Sequence, residues 1–512
     1  MNGAQALITT ALNEGIEVCF ANPGTTELPL VLAMDQVAGM RGILCLHENV
    51  ATGAADGYGR MLSKPAMCLL HLGPGLANGL TNLHNARRAG TPILNVIGEH
   101  ATWHRAADPL LASDIEGLAH TVSAYTKRNV DAAAIASDLA AAVERARADG
   151  GGIATLIVPH DCQQGEAGDD RPHRRAISKN SYSPANVTAA TRALKRGKSA
   201  ILLGGEGLSE TGMRLAGRIA AATGADLLCD TFFARMERGG DLPAATRLPY
   251  FPDHALALTR RYENVVLAGT RRPVAFFGYH GQPGYLTGEE QTVTLAARGD
   301  DVLGALEAVA AELQASHDVR RQPGKPMSMP RGRLDAQSVT AIIGLLQPEN
   351  CIVMDEALTA GTPYFEASRN APRFSHLMLT GGAIGQGPGT ATGAAIACPD
   401  RKVINFESDG CGAYSVQAFW TQARENLDVV TIIGSNRSYN ILNVEFERAG
   451  VTAPGPVARS MTGLDRPNLD WVKIGEGFGV PSVAVDSAEA LARELEKALA
   501  QKGPRLIEAI MS

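Results

Sequence analysis

The chain is poor in aromatic residues, at 5% of 512, and its eight cysteines form no Cys-x-x-Cys pair. It has no long basic run and carries a formal charge of −6, which argues against nucleic acid as a main partner. No apolar run reaches the ~18 residues that a membrane helix needs, so no membrane partner is expected. The start, Met1-Asn2-Gly3-Ala4-Gln5, lacks a basic segment leading into an apolar core. No signal peptide is therefore expected, and a cytoplasmic setting is. Cys19, Cys45, Cys68 and Cys351 sit in apolar, strand-like runs and read as buried free thiols of a reducing compartment. The absence of a Gly-X-Y period excludes collagen.

What the chain has in excess is glycine. Its 55 glycines are roughly 11% of the residues, against ~7% on average. They must serve turns, close backbone approach or ligand loops. At ~100–200 residues per domain, the length suggests three domains.

Helical and strand patterns alternate along the chain. In the first unit, Ala4–Glu14 reads as a helix and Ile16–Phe20, Gly42–Leu46, Ala66–Leu70 and Ile93–Ile97 as strands, with Glu48–Leu62 a small-residue helix. Such alternation implies α/β architecture, with parallel sheets covered on both faces. The expected domains are residues 1–165, 183–315 and 334–512. The polar, basic stretch 166–182 (Arg171, His173, Arg174, Arg175, Lys179) and the Pro- and Arg-rich 316–333 read as linkers. Strands of the third unit are expected at Cys351–Asp355, Val403–Glu407, Val429–Gly434 and Leu506–Ile510, with a helical pattern over 414–425.

The strongest chemical signal lies in that third unit. A buried strand ends in Ser408-Asp409-Gly410, and the next one ends in Ser435-Asn436-Arg437-Ser438. Asp409 and Asn436 thus stand at the C-terminal ends of parallel strands, where open α/β sheets bind ligands. A carboxylate and an amide oxygen suit a hard cation such as Mg²⁺, which is held by few protein groups plus phosphate and water. Gly410 allows a phosphate to approach the backbone, and the helix start after it favours negative charge. Taken singly, either residue reads better as a turn cap.

The pair resembles the cofactor motif of thiamine-diphosphate enzymes: Gly-Asp-Gly, a spacer, then Asn-Asn. Here Ser408 and Ser435 stand in place of the first Gly and the first Asn. The resemblance implies Mg²⁺ held by Asp409, Asn436 and the carbonyl of Ser438, with Gly410 and Cys411 at the diphosphate. A second segment, His47-Glu48-Asn49 opening a helix rich in Ala and Gly, resembles the pyrimidine-binding helix of the same family. There a Glu bonds the cofactor's aminopyrimidine and promotes its imino form, a role that falls on Glu48. A third, Leu379 to Gly387, resembles the loop whose apolar side chain wedges between the cofactor's rings. Ile384 takes that place, and the Gly382 carbonyl would accept from the 4′-amino group. The continuation Pro388-Gly389-Thr390-Ala391 departs from the family's usual Pro-Ala-Ala.

The resemblance spans the chain as three doubly wound parallel-sheet domains: pyrimidine-binding, central and diphosphate-binding. It is closest to benzoylformate-decarboxylase-like enzymes and acetolactate synthase large subunits. Asn22-Pro23-Gly24-Thr25-Thr26-Glu27-Leu28-Pro29 resembles the decarboxylase's substrate loop, with Thr25 at its substrate-contacting Ser. His71 and His280 fall on or near its active-site histidines, and Asn78 matches as well. A His base or acid near neutrality suits proton transfer. Leu267–Tyr279 lacks the Phe-Asp-Asp-Arg segment of the synthases that bind FAD, so no FAD is expected.

The implied activity is a decarboxylase/carboligase working through a C2 ylid and enamine. It would act on a small-molecule 2-oxo acid, with an aldehyde as a possible acceptor. The alternatives are an acetolactate synthase-like carboligase without FAD and a catalytically lapsed regulatory subunit. The family's sites lie between subunits, so a homodimer or homotetramer is expected, with Gly53 and Gly57 packing at the dimer interface.

Overall fold

The computed structural model describes residues 1–168, 180–317 and 324–511. The basic residues between 171 and 179, and part of the second expected linker, lie outside the described residues.

The first sheet contains β1 (Val18–Asn22), β2 (Arg41–Leu44), β3 (Ala66–Leu70), β4 (Ile93–Glu99), β5 (Tyr125–Arg128) and β6 (Ile153–Pro159). Their spatial order is β2-β1-β3-β4-β6-β5, all parallel. The second sheet uses β7 (Ser199–Leu203), β8 (Asp226–Cys229), β10 (Thr246–Arg247), β11 (Asn264–Ala268) and β12 (Thr292–Ala296), while β9 (Arg235–Arg238) leaves it. The third sheet runs β17-β18-β16-β15-β13-β14-β9. Its own strands are β13 (Cys351–Glu356), β14 (Phe374–Met378), β15 (Val403–Ser408), β16 (Val429–Ser435), β17 (Ser482–Val485) and β18 (Arg505–Ile510).

β3, β4, β6, β13, β14, β15 and β16 are buried along their whole length. Continuous apolar runs of this kind belong to parallel strands covered on both faces. The sequence expectation of three parallel-sheet α/β units is met, with one addition. β9 pairs antiparallel with β14 and closes the edge of the third sheet. Nothing in its short Arg-Met-Glu-Arg run announces that partner.

In the first sheet the strand order reverses beside β1, between β1 and β3. In the third it reverses beside β13, between β13 and β15. Such switch points open a crevice at the strands' C-terminal ends. The loops after β1 and β3 begin at Pro23 and His71, and Asp409 follows β15 directly.

The helix Glu48–Leu62 starts where the sequence pattern places it and is buried from Glu48 to Met61. It crosses the helix Gly387–Ala397 of the same chain. The Cα of Gly389 would lie 3.3 Å from a Cβ at Gly53. A Cβ at Gly57 would run into the Thr390 backbone, and one at Gly393 into the Ala54 carbonyl. Gly53 and Gly57 thus serve a helix crossing within one chain. The departure at 388–391 also has a use here, because Gly389 lets the two backbones meet. All eight cysteines are free, and all but the half-buried Cys398 are buried. No helix among the described residues is long and apolar enough to cross a membrane.

Candidate active site

Glu48 is the first residue of its helix and is 8% exposed. The side chain of His47 caps the helix by accepting from the Asn49 N–H at 3.1 Å. A carboxylate in this first turn is favoured by the helix dipole. Asn78, on the helix Leu72–Ala89, donates to Glu48 Oε2 at 3.0 Å. The structure therefore brings two of the expected residues together.

His71 follows β3 directly, stands at the N-cap of the helix Leu72–Ala89 and is half-buried. Its Nδ1 lies 2.8 Å from Glu27 Oε2 and 3.2 Å from Thr26 Oγ1. Glu27 is fully buried and also accepts from the Gly24 N–H at 2.7 Å and the Thr26 hydroxyl at 2.5 Å. Thr25, expected beside the substrate, is exposed, and its neighbour Thr26 makes the His71 contact. Sequence reasoning missed Glu27, although a Glu two residues after Thr25 in a strand-end turn was there to be read.

Asp409 is 2% exposed and forms no ion pair among the described residues. It accepts from the N–H of Gly410 at 2.8 Å and of Arg437 at 2.5 Å. Burial raises its carboxyl above the ordinary value, and these N–H donors oppose the rise. Asn436 Oδ1 accepts from the Ser438 N–H at 3.0 Å. The turn after β16 thus meets the Asp409 carboxylate at the end of β15 through the Arg437 N–H. Burying a carboxylate without a counter-charge is costly, so the donor set fits a hard cation completed by oxygen from elsewhere. No group of three His, Cys, Asp or Glu that could hold a metal occurs among the described residues. Cys411 is buried, with its thiol pushed well up by desolvation, and its N–H points to Ser408 Oγ at 3.4 Å. It is inert as a nucleophile.

The loop from Thr380 to Gly387 carries Gly382, at φ +76°, and the half-buried Ile384. Only glycine takes that backbone conformation without strain. Phe276 of the second unit lies against the Gly382 Cα. It belongs to a chain of rings that includes Phe232, Tyr250 and Phe277. His280 is exposed in a turn nearby and makes no hydrogen bond among the described residues. Its neighbour Tyr279 instead donates to Glu445 Oε1 at 2.7 Å, tying that turn to the helix Asn440–Arg448.

Below the loop, Glu356 ends β13 and Glu407 lies opposite it on β15. Glu356 accepts from the N–H of Gly385 at 2.7 Å and from that of Gly387. Burial pushes Glu356 up to about 7, and burial with the neighbouring Glu356 also pushes Glu407 well up. Two buried carboxyls this close cannot both ionise, so one keeps a proton.

Two family descriptions match the chain: "Thiamine pyrophosphate enzyme, N-terminal TPP binding domain" over residues 1–135, and its C-terminal counterpart over 360–509. The IlvX protein of Mycobacterium tuberculosis, provisionally named an acetolactate synthase large subunit, is 44% identical over 100% of this chain and 99% of its own. A benzoylformate decarboxylase of Pseudomonas aeruginosa is 27% identical over 96% of each chain. In fold, the chain is similar to the thiamine diphosphate-dependent 4-hydroxybenzoylformate decarboxylase of Rhodococcus jostii RHA1. That match has a TM-score of 0.89 at 21% identity and covers 100% of this chain and 99% of the other.

Proposed function

The chain belongs to the thiamine pyrophosphate enzyme family, and from that premise we propose that it is a thiamine-diphosphate- and Mg²⁺-dependent decarboxylase/carboligase of a small 2-oxo acid. The observation that carries this reading is the joint presence of a buried Glu48 carboxylate at a helix start and a buried, uncompensated Asp409 beside Asn436.

Asp409, Asn436 and the Ser438 carbonyl would hold the cation, and Gly410 and Cys411 would face the diphosphate. Ile384 and Gly382 would meet the rings, and Glu48 would bond the pyrimidine. When bound, the cofactor supplies the nucleophilic carbon and the electron sink of 2-oxo acid chemistry. The chain's own residues hold and move protons. Glu27, accepting at Nδ1 of His71, fixes the tautomer and leaves Nε2 as the atom that gives or takes a proton at the substrate. Asn78 orients Glu48.

A carboligase reading is favoured by the 44% identity to a protein named as an acetolactate synthase subunit. Glu48 and Asp409 would serve one site from two copies of the chain, giving a dimer or tetramer; the exposed Leu28, Leu32, Trp103 and Leu110 fit such burial. An active monomer in sedimentation would contradict this. The free thiols fit a reducing cytoplasm.

The test is a panel of 2-oxo acids, with and without acceptor aldehydes, followed by CO₂ release and ligation product. Glu48→Gln should lower turnover of any accepted substrate by about two to four orders of magnitude. Unchanged turnover in that variant would overturn the reading. An intact protein that binds the cofactor yet turns over nothing would favour the lapsed subunit.

A further inference from the structure

The loop that carries Gly382 and Ile384 belongs to the third unit, yet it is held largely by the first. Asn85, on the helix Leu72–Ala89, is fully buried and meets Ala383 at two points. Its Nδ2 donates to the Ala383 carbonyl at 2.7 Å, and its Oδ1 accepts from the Ala383 N–H at 3.3 Å. Asn82 Nδ2 donates to the Gly385 carbonyl at 3.2 Å, and His84 Nε2 lies 3.2 Å from the Gly381 carbonyl. The Asn85 carbonyl also accepts from the Thr380 hydroxyl at 2.7 Å. Asn85 is itself oriented, since it donates to Asn82 Oδ1 at 3.0 Å.

The carbonyls of 381, 383 and 385 are thus each engaged by one helix, and no hydrogen bond is made to the Gly382 carbonyl between them among the described residues. Holding both neighbours while leaving the middle carbonyl free sets its direction. A buried Asn that reads a backbone amide at both ends has little rotational freedom, and losing it strands buried polar groups on the loop.

We propose that Asn85 is a positioning residue for the cofactor: from the first unit it fixes where the Gly382 carbonyl and the Ile384 side chain of its own chain meet the aminopyrimidine. The inference rests on the thiamine-diphosphate reading of this site. It makes the helix Leu72–Ala89 serve two tasks, orienting Glu48 through Asn78 and the loop through Asn82, His84 and Asn85.

The experiment uses the full chain with saturating Mg²⁺ and three probes: thiamine diphosphate, its 4′-deamino analogue and inorganic pyrophosphate. Dissociation constants are measured by calorimetry for the unmodified chain, Asn85→Ala and the isosteric Asn85→Asp. Asn85→Asp keeps the acceptor toward the Ala383 N–H and sets an oxygen against the Ala383 carbonyl. Both variants should bind thiamine diphosphate about tenfold more weakly. Their preference for the cofactor over the deamino analogue should fall toward one, and their pyrophosphate affinity should stay within about twofold of the unmodified chain.

Equal cofactor affinity and equal preference in either soluble variant would overturn the inference. So would a parallel loss for cofactor and pyrophosphate, which would mean general loosening. Should Asn85→Ala fail to fold, Asn85→Asp and the milder His84→Ala carry the same test. An unmodified chain that binds no thiamine diphosphate would overturn the functional reading itself, and is seen before any variant is made.

Discussion

Removing the carboxylate of Asp56 should loosen the loop 380–387 more than any surface change. Asp56 is fully buried and takes a two-point bond from Arg60 on the same helix, at 2.9 and 2.7 Å. It also accepts from Thr91 and from Gln386, each at 2.5 Å. Arg60 in turn donates to the Met378 carbonyl at 2.7 Å, to Thr380 Oγ1 at 2.8 Å and to the Ala234 carbonyl at 3.2 Å. One ion pair therefore ties the first unit to strands and loops of the other two.

In Asp56→Ala the guanidinium remains buried without its counter-charge, which costs about 3–5 kcal/mol. A chain of three units need not unfold in one step, so the assay is native-state hydrogen exchange of the peptide 378–387. Protection there should fall by about two to four orders of magnitude. The double variant Asp56→Leu, Arg60→Met should recover part of the loss, because it removes the unpaired charge along with the pair. Protection unchanged to within about tenfold in Asp56→Ala, or a double variant worse than the single one, would refute the reasoning.

Gly57→Ala gains helix propensity but sets a methyl group against the Thr390 backbone, so the net change should be a loss of about 1–3 kcal/mol, read as a lowered melting temperature. Glu356 gives a pH dependence to the cofactor-free chain. A carboxyl raised from 4.5 to about 7 by burial binds its proton more tightly when folded. Its stabilisation is full below the lower value and is lost as pH rises through about 7. Melting temperature should therefore fall between about pH 5 and pH 8, and Glu356→Gln should flatten that slope. The seven buried cysteines should resist an exposed-thiol reagent in the native state and react on denaturation; fast native labelling of more than Cys398 would contradict their placement.

Much of the fold was legible because it rests on local signals. Ala66–Leu70 is an unbroken apolar run, and it forms a strand with those bounds. Glu48–Leu62 carries a small-residue helical pattern behind a capping His, and it too matches. Asp409 and Asn436 could be placed at adjacent strand ends because a βαβ unit fixes the direction of both strands. What escaped depends on contacts between distant residues. β9 is a four-residue strand whose partner, β14, lies more than a hundred residues away. The partners of Gly57 and Asn85, Thr390 and Ala383, are about three hundred residues off, so no periodicity could reveal them. Thr25 and Thr26 are adjacent and chemically alike, and only the backbone of the turn decides which hydroxyl faces His71. The helical pattern over 414–425 shortened to Ala418–Arg424, because the Tyr414 and Ser415 N–H groups bond back to Cys411 and Gly412 in tight turns before the helix begins.

The central claim is that this chain holds thiamine diphosphate through a cation at Asp409 and Asn436. Calorimetric titration with thiamine diphosphate, with and without Mg²⁺, on the unmodified chain and on Asp409→Ala tests it most directly. Saturable binding that requires the cation and is lost in Asp409→Ala is the predicted result. Absence of binding in the presence of Mg²⁺, or binding that survives Asp409→Ala undiminished, would contradict the account.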